Sequence, residues 1–175
     1  EHWPEAIWRE DAQKMKSMGI TTVRVGEFAW SRFESQQGSY DWDWLRRSMD
    51  ILHEQGLKVV LGTPTATPPK WLVDKHPEVL ARDSQGQQRR FGSRRHYCFS
   101  SPIYREYSHN IVSRMVEALG DHPALVAWQI DNEFGCHDTV RSYSEAAELA
   151  FRSWCESKYQ TIDALNQAWG NVFWS

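Results

Sequence analysis

Three short runs that read as strands, the first β-branched and the other two apolar, each preceded by a stretch with helical periodicity, constrain this chain more than any other feature. They are residues 21–25 (TTVRV), 57–63 (LKVVLGT) and 124–130 (ALVAWQI). Before the first, Trp8, Ala12, Met15 and Met18 recur at helical intervals, and Gly19 supplies a stop. Before the second, Leu45, Met49 and Leu52 share one side of a helix that ends at Gly56; before the third, Tyr104, Ile111, Met115 and Leu119 do the same, with Pro102 tolerated in the first turn. Two more helical stretches follow, over 145–159 and 162–169. Near-continuous apolar strands are expected to be buried on both faces, the mark of a parallel sheet flanked by helices. Helix–strand alternation leaves two architectures, a doubly wound sheet and a (β/α)8 barrel. A barrel needs about 250 residues, so three strands in 175 residues would be less than half of one.

The connection after residues 57–63 is unusually long, running to about residue 100, and it holds Trp71, His76, Arg94, Arg95, His96 and Tyr97. Loops of that length in compact domains are functional or disordered, and this composition suits a site. The loop leaves the C-terminal end of its strand, the end at which parallel α/β folds build their sites. The neighbouring strands end there in polar groups too, Glu27 after the first and Asp131-Asn132-Glu133 after the third.

A carboxyl group partly withdrawn from water keeps its proton to higher pH, which a general acid requires. Glu133 is the candidate for that role, the alternative being a helix N-terminal or salt-bridged loop acid. Asn132 beside it offers a neutral donor and acceptor suited to a sugar hydroxyl, although an isolated Asn at a strand end is commonly a turn residue. A hydroxyl anchor next to a proton donor is what glycoside chemistry uses. Ten tryptophans fit a core, with two or three facing a ligand, since a flat ring covers the apolar face of a pyranose.

Five motifs, VRVGEFAWSRFE, LGTPTATPPKWL, RRHYCFSSP, WQIDNEFGCHD and LNQAWGNVFWS, in this order and together with the opening EHWPE, resemble the glycoside hydrolase family 42 β-galactosidases. The resemblance covers essentially the whole chain. It implies a (β/α)8 barrel, present over residues 1–175 as roughly its first half (strands two to four and flanking helices), with the rest of the barrel and later domains lying outside. It also implies a retaining exo-β-galactosidase that hydrolyses terminal non-reducing β-D-galactosyl residues of lactose-like substrates or galacto-oligosaccharides by a two-carboxylate double displacement. By this resemblance Glu133 is the proton donor and general acid/base, and Asn132 and Arg94 bind substrate. Arg24 matches a strand-two arginine that supports the nucleophile, with a barrel-interior ion pair as its alternative. The nucleophile is a second Glu at the end of strand seven, outside these residues, so the segment alone is expected to be inactive. Glu27 and Asp131 are not expected to replace it: Glu27 reads as a structural or rim residue, and strand alternation would turn Asp131 away. The other readings are a non-catalytic carbohydrate-binding fragment and a regulatory half-barrel.

Some family members hold structural zinc through four cysteines. Cys98 matches the first, but the other three positions read Ser142, Ser144 and Ala147. Tetrahedral zinc needs four good ligands, so no metal or other cofactor is expected there, nor at the adjacent trio Cys136-His137-Asp138. Three widely spaced cysteines fit a reducing, cytoplasmic setting. The chain begins without Met, in mid-motif, so an upstream segment is expected. A net charge of −3 and a pI near 6.2 give no support for nucleic-acid or membrane partners. The expected partner is the galactoside substrate, and the resemblance adds a homotrimer.

Overall fold

A computed structural model describes residues 3–92, 95–136 and 139–171. The elements in chain order are α1 (Trp8–Ser17), β1 (Thr22–Val25), α2 (Trp30–Phe33), β2 (Glu34–Gln36), β3 (Ser39–Tyr40), α3 (Asp43–Glu54), β4 (Lys58–Gly62), α4 (Lys70–Lys75), α5 (Pro102–Leu119), β5 (Leu125–Gln129), α6 (Glu145–Tyr159) and α7 (Ile162–Trp169). Ser101, Ser144 and Thr161 cap α5, α6 and α7, each side-chain oxygen accepting a backbone N–H three residues on.

The three long strands form one parallel sheet in the order β1-β4-β5. Val23 lies opposite Val59 and Val25 opposite Leu61, while Leu61 lies opposite Trp128 and Gly62 opposite Gln129. Spatial order follows chain order, without the reversal that a doubly wound sheet needs.

The two faces of the sheet differ. Val59 and Leu61 are fully buried in a cluster with Ala12 of α1, Leu45 and Met49 of α3, and Ile111 and Met115 of α5. Val23, Val25 and Trp128 pack against the same cluster. The opposite face carries Arg24, Val60, Ala127 and Gln129; Val60 is half-buried, Ala127 is exposed and the Arg24 side chain is 51% exposed. Helices on one face of sequentially ordered parallel strands make this an arc of a (β/α)8 barrel. The expectation of burial on both faces is therefore corrected. The inner face of a barrel is filled by side chains from strands around the whole ring, and three strands do not close a ring.

Two parts of the chain carry structure that the sequence did not mark. β2 and β3 form an antiparallel hairpin around Gly38, held by the buried carboxylate of Glu34, which accepts from Trp30 Nε1 at 3.0 Å and the Gly38 amide at 2.8 Å. The long connection after β4 contains α4 and is pinned by antiparallel bridges, Leu80 to Tyr97 and Arg82 to Gln88. No described helix is long and apolar enough to cross a membrane.

Candidate active site

The ends of β1 and β5, which flank β4 and do not pair with each other, meet through side chains. Gln129, the last residue of β5, shares the inner face with Arg24, whose Nη1 donates to Gln129 Oε1 at 2.7 Å. That contact fixes the Gln129 amide with Nε2 turned to the loop, donating to the Asp131 carbonyl at 2.8 Å and to Asn132 Oδ1 at 3.2 Å. Asn132 Oδ1 is thereby engaged, and its NH2 group is the half of the amide left to donate elsewhere. On its other side, Arg24 Nε donates to Glu27 Oε1 at 3.1 Å, the ion-pair alternative considered for this arginine.

Beyond Gln129 the chain makes an unusual turn. Asp131 and Glu133, neither of them glycine, hold φ of 55° and 50° in the left-handed region, each at a cost of about 1–3 kcal/mol. Strand alternation ends before them, so this backbone, and not the pleat, sets their directions. The Asp131 carboxylate is 4% exposed as a residue and faces inward. Its Oδ1 accepts from Arg95 Nη2 at 2.9 Å and from the Asn132 amide at 2.6 Å; its Oδ2 accepts from Thr65 Oγ1 at 2.9 Å and from the Tyr97 hydroxyl at 3.5 Å. The Asp131 amide donates to Thr63 Oγ1 at 2.7 Å. Both threonines come from the TPT segment that follows β4.

Burial, then the charge of Asp131, pushes the Tyr97 hydroxyl well above the ordinary tyrosine range. Tyr97 stacks on Tyr104 at 4.3 Å between centroids, and Tyr104 donates to the Thr65 carbonyl at 2.9 Å. The Arg95 guanidinium lies 5.4 Å from the Phe99 ring and 5.5 Å from the Phe134 ring.

Asn132 is 8% exposed and lines a cavity of about 540 Å³ with Phe28, Ala66, Pro68, Phe91 and Arg95. That size falls in the range of small-ligand sites. Among the described residues its aromatic lining is Phe28, Phe91 and His96, with no tryptophan. Glu133 is exposed, which corrects the expectation of a partly desolvated carboxyl within this segment: three strands do not wall it off from water. Arg94 lies outside the described residues, as do His137 and Asp138. Gln129, Thr63 and Thr65 were not singled out as site residues from sequence, and Tyr97 only as one of the long-loop residues that suit a site; for the two threonines, a hydroxyl-rich segment directly after a strand was the one signal.

The zinc-like positions do converge. Ser144 Oγ donates to Cys98 Sγ at 3.2 Å and accepts from Ser142 Oγ at 3.1 Å, and a cavity there is lined by Cys98, Ser142 and Ala147. One thiol, two hydroxyls and a methyl do not fit tetrahedral zinc, and the Ser144 hydroxyl is already committed to capping α6.

A family description for β-galactosidase matches residues 1–175. The chain is 55% identical to a β-galactosidase of Thermus thermophilus, over 100% of its own length and 27% of the relative's. Its structure superposes on a solved β-galactosidase from the psychrophile Marinomonas ef1 with a TM-score of 0.95 and 61% identity, covering 99% of this chain and 26% of the other. For the β-galactosidase of Halorubrum lacusprofundi the TM-score is 0.95 and the identity 48%, covering 100% of this chain and 26% of that one. A β-amylase catalytic domain from Paenibacillus polymyxa shares the fold alone, at a TM-score of 0.67 and 19% identity. The chain thus spans about a quarter of the length of the relatives it matches. A parallel strand arc with helices on one face and a match over every residue lead to one conclusion: this chain belongs to the glycoside hydrolase family 42 β-galactosidases.

Proposed function

We propose that this segment supplies the acid/base half of a retaining exo-β-galactosidase site. The observation that carries the reading is the fixed turn after β5, which sets Asn132 into the wall of the 540 Å³ cavity with Glu133 next in the chain. Asn132 would donate from its NH2 group to a galactose hydroxyl, with Arg94 as a second substrate contact. Glu133 would protonate the glycosidic oxygen as the bond to the anomeric carbon breaks. A carboxylate from a later strand would attack that carbon and form the covalent galactosyl intermediate. Glu133, now ionised, would take a proton from water as the water releases the sugar with net retention. Arg24, joined to both Glu27 and Gln129, would brace the inner face near the nucleophile. One solved relative, a β-galactosidase of G. stearothermophilus, has been studied as a glutamate-to-alanine catalytic mutant, in keeping with carboxylate chemistry. Substrates would be lactose-like galactosides and galacto-oligosaccharides, handled without a metal at Cys98.

The test is Glu133→Gln in the complete protein. Loss of general-acid catalysis is worth about 10²–10⁴ in turnover and should fall hardest on galactosides with poor leaving groups, while galactose affinity survives. Unchanged turnover removes Glu133 from the mechanism and favours the carbohydrate-binding reading.

A further inference from the structure

The residue with the most polar contacts at this site is Asp131, which the reaction itself does not use. Its carboxylate takes four donors, from Arg95, Thr65, Tyr97 and the Asn132 amide, and its own amide is held by Thr63. These partners lie 34 to 68 positions away in sequence, apart from the neighbouring amide. The contacts converge on a backbone that is left-handed at both Asp131 and Glu133. Non-glycine residues persist in that region only where their surroundings over-determine them, and such outliers gather at functional sites.

Stability alone is a poor explanation of the arrangement. Arg95 and Asp131 have side chains only 2% and 6% exposed, and a buried ion pair of this kind is weak evidence for stabilisation because desolvation offsets the attraction. Arg95 Nη1, moreover, is buried with no hydrogen-bond partner among the described residues, a cost that well-packed apolar side chains would avoid. What the pair does accomplish is directional. With Oδ1 bridging Arg95 and the Asn132 amide, the first residue of the turn is locked to the long connection after β4, and the next two can point only one way.

Resting on the reading of Asn132 and Glu133 given above, we infer that Asp131, clamped by Arg95, Thr63 and Thr65, is the positioning residue of the proton donor: it holds the left-handed turn that presents Asn132 to the sugar and Glu133 to the leaving-group oxygen. It touches neither substrate nor reacting atoms.

The experiment uses the complete protein and compares Asp131→Asn, Thr65→Val and Glu133→Gln on two aryl galactosides, one with a good and one with a poor leaving group. Asp131→Asn keeps the shape and an acceptor oxygen but removes the charge that holds Arg95. A displacement near 1 Å costs about 100-fold, so kcat on the poor leaving group should fall about 100-fold, with a smaller fall on the good one. Thr65→Val removes one donor to a charged acceptor and should cost roughly tenfold with the same leaving-group bias; it tests the clamp should Asp131→Asn fail to fold. A purely structural role predicts the opposite split, a lowered melting temperature with kcat per folded molecule unchanged on both substrates, and that result overturns the proposal. If Glu133→Gln is inactive on the poor leaving group while Asp131→Asn and Thr65→Val are not impaired, the clamp fails and the proton-donor assignment stands. If Glu133→Gln is fully active, the assignment itself has failed.

Discussion

Gly62 is the last residue of β4, where the strand passes behind the turn that follows β1. A Cβ at this position would stand 2.5 Å from Glu27 Cβ, 2.8 Å from Glu27 Cα and 3.0 Å from the Glu27 amide nitrogen. Carbon atoms in contact rest about 3.5–4.0 Å apart, so Gly62→Ala forces the Glu27 segment back by about 1 Å. Two of the three atoms are backbone, so no rotamer change relieves the clash. Overpacking of this kind costs about 1–3 kcal/mol, read as a fall in the denaturation midpoint of the complete protein. The displacement should also reach function, since Glu27 holds Arg24, Arg24 holds Gln129, and Gln129 holds Asn132. A shift of that size costs up to about 100-fold in turnover when it reaches the reacting groups. Gly19→Ala is the control. Gly19 has φ +83°, and an added methyl group there would meet nothing within 4 Å. Its cost is therefore the left-handed backbone alone, about 1–2 kcal/mol, and turnover per folded molecule should not change. Wild-type stability and turnover in Gly62→Ala would refute the reasoning.

Gln129→Glu replaces an amide that both accepts and donates with an acceptor-only carboxylate. It should still hold Arg24 but can no longer donate to Asn132 Oδ1, so the Asn132 amide turns over, and galactose inhibition constants should rise roughly tenfold; unchanged inhibition would show that this relay does not orient Asn132. Tyr97 is held protonated by burial and by Asp131, so its contribution is fully present below the unfolded-state value, about pH 10. Above that pH the unfolded chain loses the proton while the folded chain keeps it, and stability falls as pH rises. Chemical denaturation at about pH 9 and about pH 11 should show a shallower loss for Tyr97→Phe than for the unchanged protein; parallel losses would contradict the assignment. Leu61→Ala, at a fully buried position under α3 and α5, should lower stability by about 2–5 kcal/mol, checked by the denaturant midpoint.

What was legible in the sequence was whatever repeats locally. Val59, Leu61 and the spaced apolar residues of α3 and α5 announce strand and helix because each obeys a short period, and the structure places β4 within one residue of the expected limits. Polar burial was not legible. Glu34 sits in the core because Trp30 and Gly38 supply donors to it, and nothing within the polar stretch ESQQGS marks it as interior. Asn132 and Glu133 could be singled out as the polar end of an apolar strand within a recognisable motif. The clamp could not, because Thr63, Thr65, Arg95 and Tyr97 reach Asp131 only through the third dimension. The inner face likewise misled: Val60 and Ala127 read as core, yet what would cover them is not on the three described strands.

In the proposed mechanism Glu133, held at the end of β5, is one of two carboxyls that act across a single glycosidic bond. The most direct measurement is the structure of the complete protein with a bound galactoside. The Glu133 carboxyl should lie within about 2.6–3.2 Å of the glycosidic oxygen, with a second glutamate carboxyl about 5–5.5 Å from it on the other side of the anomeric carbon. A separation of about 6.5–9.5 Å, the spacing of an inverting enzyme, or a Glu133 turned away from the sugar, would contradict that mechanism.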